Sequence, residues 1–146
     1  MLERGVILGE FYIEKFRFED ISSIISLLKI AFGESYTFKF WSWKYIYNPA
    51  GFSDENIWIA RHKNEVIGHI ALLPMECKFK EKKVKIAQPV DTVIHPYWRK
   101  MGVFKALSEK FFSNAKNRFF LFYSFPNKRI YKIFLKLGWK KTPVLD

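Results

Sequence analysis

VDTVIHPYWRKMGVFKAL, residues 90–107, is the stretch whose reading decides the fold. Its β-branched run Val90, Val93, Ile94 predicts a strand. His95-Pro96 ends that run, and Arg99-Lys100-Met101-Gly102 makes a basic turn. Val103, Phe104, Leu107 and Phe111 then fall at helical spacing. The order is strand, tight turn, helix N-terminus. The first amides of a helix lack an intrahelical partner and carry partial positive charge. Two cations and a glycine at such a terminus make a place for a phosphate.

Upstream, residues 84–94 read as one strand, with Pro89 marking a bulge or an unpaired edge position. A long strand carrying Pro74 is expected over 66–80, joined to it by a turn at Glu81-Lys82-Lys83. Residues 56–61 (NIWIAR) predict another strand, with a hairpin turn at Asn64-Glu65. Earlier still, 11–18 alternates as a strand. Asp20 then opens a helix with Ile21, Ile24, Ile25, Leu28 and Phe32 on its apolar face, and Gly33 stops it. The aromatic-rich segment 38–47 predicts a second short helix ended by Asn48-Pro49.

Downstream, the helix is expected over 102–116. The unbroken apolar run 119–125 (FFLFYSF) reads as a strand covered on both faces. Pro126-Asn127 breaks it, and 128–137 predicts a helix with Ile130, Phe134 and Leu137 inward, closed by Gly138. A last strand is expected to start at Trp139. The order β-α-α-β-β-β-α-β-α-(β) implies an α+β fold: a mixed, mainly antiparallel sheet, meander first and βαβ crossover second. With no repeat and no linker-like stretch, a single domain over 1–146 is expected.

Nearly half the residues (49%) are apolar, enough for a packed core. The longest apolar run, about 66–73, is far short of the roughly 20 residues that span a bilayer. The start is too weakly apolar for a secretory signal. Cys77 is the single cysteine, so no internal disulfide forms and a cytoplasmic setting is expected. The net charge is +11, and ten of those charges lie in 99–146, where twelve Lys/Arg face Glu109 and Asp146. Such a surface is either simply solvated or attracts polyanions, a nucleic acid or an anionic cofactor. The lysines are spread around two helices rather than along one stripe, which argues against a nucleic-acid partner.

These elements and residues together resemble the GNAT superfamily of acyl-CoA-dependent N-acetyltransferases. The family signature is a strand, a V-x-P turn, then R/Q-x-x-G-x-G/A opening a helix. It stands here as Ile94-His95-Pro96 followed by Arg99-Lys100-Met101-Gly102-Val103-Phe104, with Phe104 in place of the last glycine or alanine. A second motif, Asn then helix then Gly-aromatic, matches Asn127, Ile130, Ile133, Phe134, Gly138 and Trp139. FWSWKYIYNPAGFS and Val66-Ile67-Gly68 also resemble one bacterial and archaeal branch, so the likeness spans about 13–141.

The resemblance implies helices on both faces of the sheet and acetyl-CoA as cosubstrate. It implies that Arg99, Lys100, Met101, Gly102, Val103 and Phe104 surround the pyrophosphate. Val93 and Ile94 would pair with the pantetheine arm as an added strand, and Asn127 and Phe134 would lie on the cofactor side. The implied acceptor is an amine of a small molecule or a protein.

Acetyl transfer needs a neutral amine, so a proton must be removed. Asp91 and Glu76 are the candidate bases: Asp91 sits in an apolar strand context, Glu76 on the preceding strand. Relatives often carry a tyrosine on the last helix as the acid. That position is Phe134 here, which leaves Tyr131, one turn earlier, or Tyr123 as the candidate donor. His62 and His69 make no metal-ligand spacing with a second His or the Cys, so no metal is assigned. Only seven residues follow Trp139, where the family usually has two more strands. A homodimer or a missing C-terminal segment is therefore expected. Three functions compete: an N-acetyltransferase, a non-catalytic acyl-CoA-binding module of the same fold, and a basic nucleic-acid-binding protein.

Overall fold

The structure, a computed structural model, describes residues 10–142. In chain order it comprises β1 (Tyr12–Lys15), α1 (Ile21–Phe32), α2 (Phe38–Tyr45), β2 (Ile57–His62), β3 (Glu65–Phe79), β4 (Lys82–Ile94), α3 (Val103–Ala115), β5 (Leu121–Phe122) and α4 (Lys128–Lys136). The sheet order is β1-β2-β3-β4-β5. The first four strands are antiparallel, and β5 returns parallel to β4. This is the α+β order implied by the sequence.

Period-two alternation on β2 divides the core. Ile57 and Ile59 face α1 and α2, packing with Ile24, Leu28, Trp41 and Tyr45. Trp58 faces the other way, onto Leu107, Phe111 and Ala115 of α3. The sheet is thus covered on both faces. Gly68 leaves room for its neighbours: a Cβ there would stand 3.1 Å from both Ala60 Cβ and Ile94 Cδ1 of the adjoining strands and 3.4 Å from Leu107 Cδ2 of α3. Asp20 does open α1, but its carboxylate turns back to the Arg17 amide (2.9 Å) and to Arg61 of β2 (2.7 Å). Gly33 ends the helix at φ 91°. Thr37 caps α2 by accepting from the Phe40 amide. Among the described residues, no helix is long and apolar enough to cross a membrane.

Several local expectations are corrected. The hairpin turns are Lys63-Asn64 and Lys80-Glu81, one residue earlier than expected, because His62 pairs with Glu65 and Phe79 with Lys82. Of the two readings of Pro89, the unpaired edge position holds, and the bulge lies at Asp91: Val90 opposes Ala71 and Val93 opposes His69, three steps against two. Pro89 ends the pairing with β5. The Ala87 carbonyl accepts from Tyr123 on that edge, and two residues on, Pro89 has no N–H to offer.

Consequently only Leu121 and Phe122 of the run 119–125 form strand, and that run is not covered on both faces. Phe120, Leu121 and Phe125 are 55%, 42% and 84% exposed. Leu137, expected inward, is exposed because α4 stops at Lys136. Gly138 takes φ 91°, the Trp139 amide donates to the Phe134 carbonyl, and Trp139 stacks on Phe134 at 4.7 Å. Residues 139–142 hold no strand, and the rest of the expected last strand lies outside the described residues.

Candidate active site

The Asp91 bulge decides where the site forms. Asp91 takes φ 51°, an unusual conformation for a residue with a Cβ. From Gln88 to Ile94, β4 has no strand partner on its β5 side among the described residues. Beyond the end of that pairing a cavity of about 490 Å³ opens beside the free edge of β4. Its walls are the end of α1 (Ala31, Phe32), Thr92–Ile94 of β4, the loop residues Trp98 to Lys100, Gly102 to Lys105 at the start of α3, and Asn127, Arg129, Ile130 and Ile133 of α4.

The basic loop is held from several sides. Arg99 Nε donates to the Ile94 carbonyl (3.2 Å), folding the loop onto the strand end. His95 Nδ1 accepts from the Tyr97 amide (3.2 Å). Trp98 packs its ring against His62 (4.7 Å) and Phe11 (6.3 Å). Gly102 then enters α3 with φ 81°, and no atom lies within 4 Å of where its Cβ would be. Its carbonyl accepts the first helical bond, from Ala106. The amides of Val103, Phe104 and Lys105 precede that bond and have no intrahelical acceptor. A helix N-terminus of this form, lined by Arg99, Lys100 and Lys105, favours an anion.

A second cavity, about 460 Å³, adjoins on the α1–α2 side and is lined by Phe32, Ser35, Tyr36, Phe40, Lys44 and Asp91. Phe32 is common to both cavities. Here Asp91 is closely held. Lys44 Nζ lies 2.9 Å from each carboxylate oxygen. Tyr36 donates to Oδ2 at 2.6 Å, and Tyr45 donates to the same oxygen. Burial would push the Asp91 carboxyl up, but the Lys44 charge and the two hydroxyls outweigh it and hold it below the usual carboxylate range. Both tyrosines are pushed up, by burial first and the Asp91 charge second, so they remain O–H donors.

Beneath this cluster lies His69 of β3, fully buried. Its Nδ1 is 2.8 Å from the Asp91 carbonyl, which accepts only, so Nδ1 carries the proton. Nε2 has no partner among the described residues. Burial pushes the imidazole down from its ordinary 6.5, against the favourable Asp91 contacts. A folded value below the unfolded one means that the unfolded chain binds the extra proton. Stability is then complete above pH 6.5 and falls by up to about 1.4 kcal/mol per pH unit as pH drops toward the folded value. Urea midpoints between pH 7 and 5 should show this slope, and His69→Asn should remove it.

Of the residues singled out in the sequence, the first cavity brings together Val93, Ile94, Arg99, Lys100, Gly102, Val103, Phe104 and Asn127. Asn127 caps α4, its Oδ1 accepting from the amides of Arg129 and Ile130. Met101, Phe134 and Tyr131 are not among the lining residues. Met101 is exposed, and Phe134 is buried against Trp139. Glu76 lies on the exposed end of β3 opposite Lys85 and lines neither cavity. Sequence reasoning passed over Tyr36, Lys44 and Phe32. The one signal was spacing: Phe40 and Lys44, four residues apart, share one face of α2.

Comparison with known proteins bears on the family and the fold. The family model described as acetyltransferase (GNAT) domain matches residues 13–142. No curated protein matches in sequence. Among solved structures, an acetyltransferase of Trypanosoma brucei superposes with a TM-score of 0.70 at 15% identity, covering 94% of this chain and 97% of its own. Glucosamine-6-phosphate N-acetyltransferase of Arabidopsis thaliana gives 0.70 at 14% identity, with the same coverage. A predicted acetyltransferase of Clostridium acetobutylicum, solved with acetyl-CoA, gives 0.70 at 17% identity over 91% of this chain and 92% of its own.

Proposed function

The chain belongs to the GNAT acetyltransferase domain family, whose reaction moves an acyl group from acyl-CoA to an amine; from that premise we propose that it transfers acetyl from acetyl-CoA to a primary amine by direct attack. One observation carries the reading. A single cavity joins the unpaired amides and cations at the start of α3 to the free edge of β4, and it adjoins a carboxylate-bearing pocket.

The open space at Gly102 is the fit test for the cofactor. A side chain there would stand where the loop must meet an anion, and glycine leaves the amides accessible. The amides of Val103, Phe104 and Lys105, with Arg99 and Lys100, would hold the pyrophosphate. Val93 and Ile94 would offer their backbone edge to the pantetheine arm, beside Asn127. Acetyl-CoA supplies the activated acetyl thioester when bound. Phe32 and Tyr36 would form the wall that excludes water near the acceptor.

Asp91 is the carboxylate nearest the junction of the two cavities. With three donors on it, it acts by holding a positive nitrogen and fixing the bulge. An ordinary general base would have a value nearer the working pH. Phe134 offers no proton to the departing thiolate, and Tyr131 lies outside the cavity lining. A thiol is a good enough leaving group to depart without an enzyme acid.

The test is CoASH release, followed with a thiol reagent, across a panel of small amines and lysine peptides. Release stimulated by at least one amine class is expected. If acetyl-CoA raises the melting temperature but no amine stimulates release, the protein is a binding module of the same fold. If acetyl-CoA leaves the melting temperature unchanged, the cofactor assignment falls.

A further inference from the structure

The pocket next to the proposed acyl site already contains a primary amine. It belongs to this chain. We propose that Lys44 Nζ is itself an acceptor, so that the protein acetylates its own α2 helix at Lys44. The inference rests on acetyl-CoA occupying the cavity described above.

Three observations support it. First, Lys44 is the only lysine among the residues lining the second cavity, and its side chain is 17% exposed. Lys15, Lys29, Lys78 and Lys105, each also ion-paired, are more exposed and lie outside that cavity. Lys100 and Lys105 do line the first cavity, but at its α3 end with the anion site. Second, the head group is positioned rather than free. Asp91 holds it at 2.9 Å through both oxygens, and the rings of Phe40 and Tyr45 lie 5.7 Å away. Third, the cavity that holds Lys44 shares a wall with the first. Phe32 lines both, and Asp91 is followed directly by Thr92 and Val93, which line the first.

Attack needs the neutral amine, so the ammonium first gives one proton to solvent through the second cavity, while the Asp91 carboxylate stays ionised under the Tyr36 and Tyr45 hydroxyls. The neutral amine attacks the thioester carbonyl; the C–N bond forms and the C–S bond breaks. The second nitrogen proton goes to the departing thiolate. The products are Nζ-acetyl-Lys44, CoASH and one proton. The acetamide has no charge and no longer chelates Asp91, so the ion pair tying α2 to the bulge is lost.

The test uses the full chain, starting from protein whose intact mass shows no acetyl group. It is incubated with acetyl-CoA, and acetylated peptides are quantified over time. Lys44 is expected to gain one acetyl group more than about ten-fold faster than Lys78 or Lys15, the advantage of a positioned amine over a free one. Excess CoASH should suppress the gain at Lys44 and leave the surface lysines unaffected. Lys44→Arg keeps the charge and should abolish the fast phase alone. Acetylation at Lys44 that is no faster than at Lys78, or insensitive to CoASH, is non-enzymatic and overturns the proposal. Lys44 unmodified while acetyl-CoA still raises the melting temperature overturns self-acetylation and leaves the function proposed above intact. Loss of both removes the cofactor reading as well.

Discussion

Asp91→Ala is expected to lower the unfolding free energy by about 3–5 kcal/mol, the cost of removing one partner from a buried ion pair. The side chain is 8% exposed and satisfies Lys44, Tyr36 and Tyr45 together. Truncation leaves an ammonium and two hydroxyls facing an empty space. It also places alanine at φ 51°, where a Cβ is strained and aspartate is better tolerated. Asp91→Asn keeps the shape and an acceptor oxygen, so its loss should be smaller.

The acid behaviour should separate the two effects. The folded value of Asp91 lies below the ordinary 3.8, so its contribution is complete above pH 3.8 and is lost as pH falls through the folded value. Wild type should show this loss in urea midpoints, and both variants should lack it. A midpoint change at pH 7 worth less than about 1 kcal/mol, within the range of an exposed pair, would mean that the cluster is open to solvent.

Gly102→Glu should abolish the thermal shift given by acetyl-CoA. At a concentration about 100 times the dissociation constant, ligand linkage stabilises by about 2.7 kcal/mol. For a chain of this size that raises the melting temperature by about 5–10 °C. Nothing within 4 Å obstructs a side chain at Gly102, so the variant can fold. Its carboxylate, however, stands among amides and cations selected for an anion. The φ of 81° also imposes strain of about 1–2 kcal/mol on any Cβ, which lowers the unliganded melting temperature. Gly102→Ala carries that strain without the charge and should keep part of the shift. Scanning calorimetry or dye-monitored melting, with and without acetyl-CoA, reads all three. A full shift in the glutamate variant would move the pyrophosphate away from this helix.

Elements whose signal is local were legible. The α1 pattern between Asp20 and Gly33, the β2 alternation around Ile57–His62 and the α3 stripe of Val103, Leu107 and Phe111 each repeat within a few residues. The loop from Arg99 to Gly102 was legible for the same reason: its chemistry is that of a helix N-terminus, and a helix start is written in consecutive residues. The run 119–125 misled because it is apolar at every position. Such a run has no period, so it cannot say which face is covered. The answer depended on Pro89, more than thirty residues earlier, which withholds the N–H that would have extended the pairing.

The sequence by itself determined the order of elements, the two helical faces of the core and the basic turn at the head of α3. These follow from short-range periodicity and capping, which need no knowledge of where the chain returns. Only the tertiary structure decided the polar centre. Tyr36, Lys44 and Tyr45 lie 55, 47 and 46 residues from Asp91, and nothing in their spacing announces that they converge on one carboxylate. They meet because α2 packs on the face of the sheet where the β4 bulge turns Asp91 inward. Once buried there, the charge had to be matched by donors from another element. That requirement is set by desolvation, a property of the folded interior, and no linear pattern carries it.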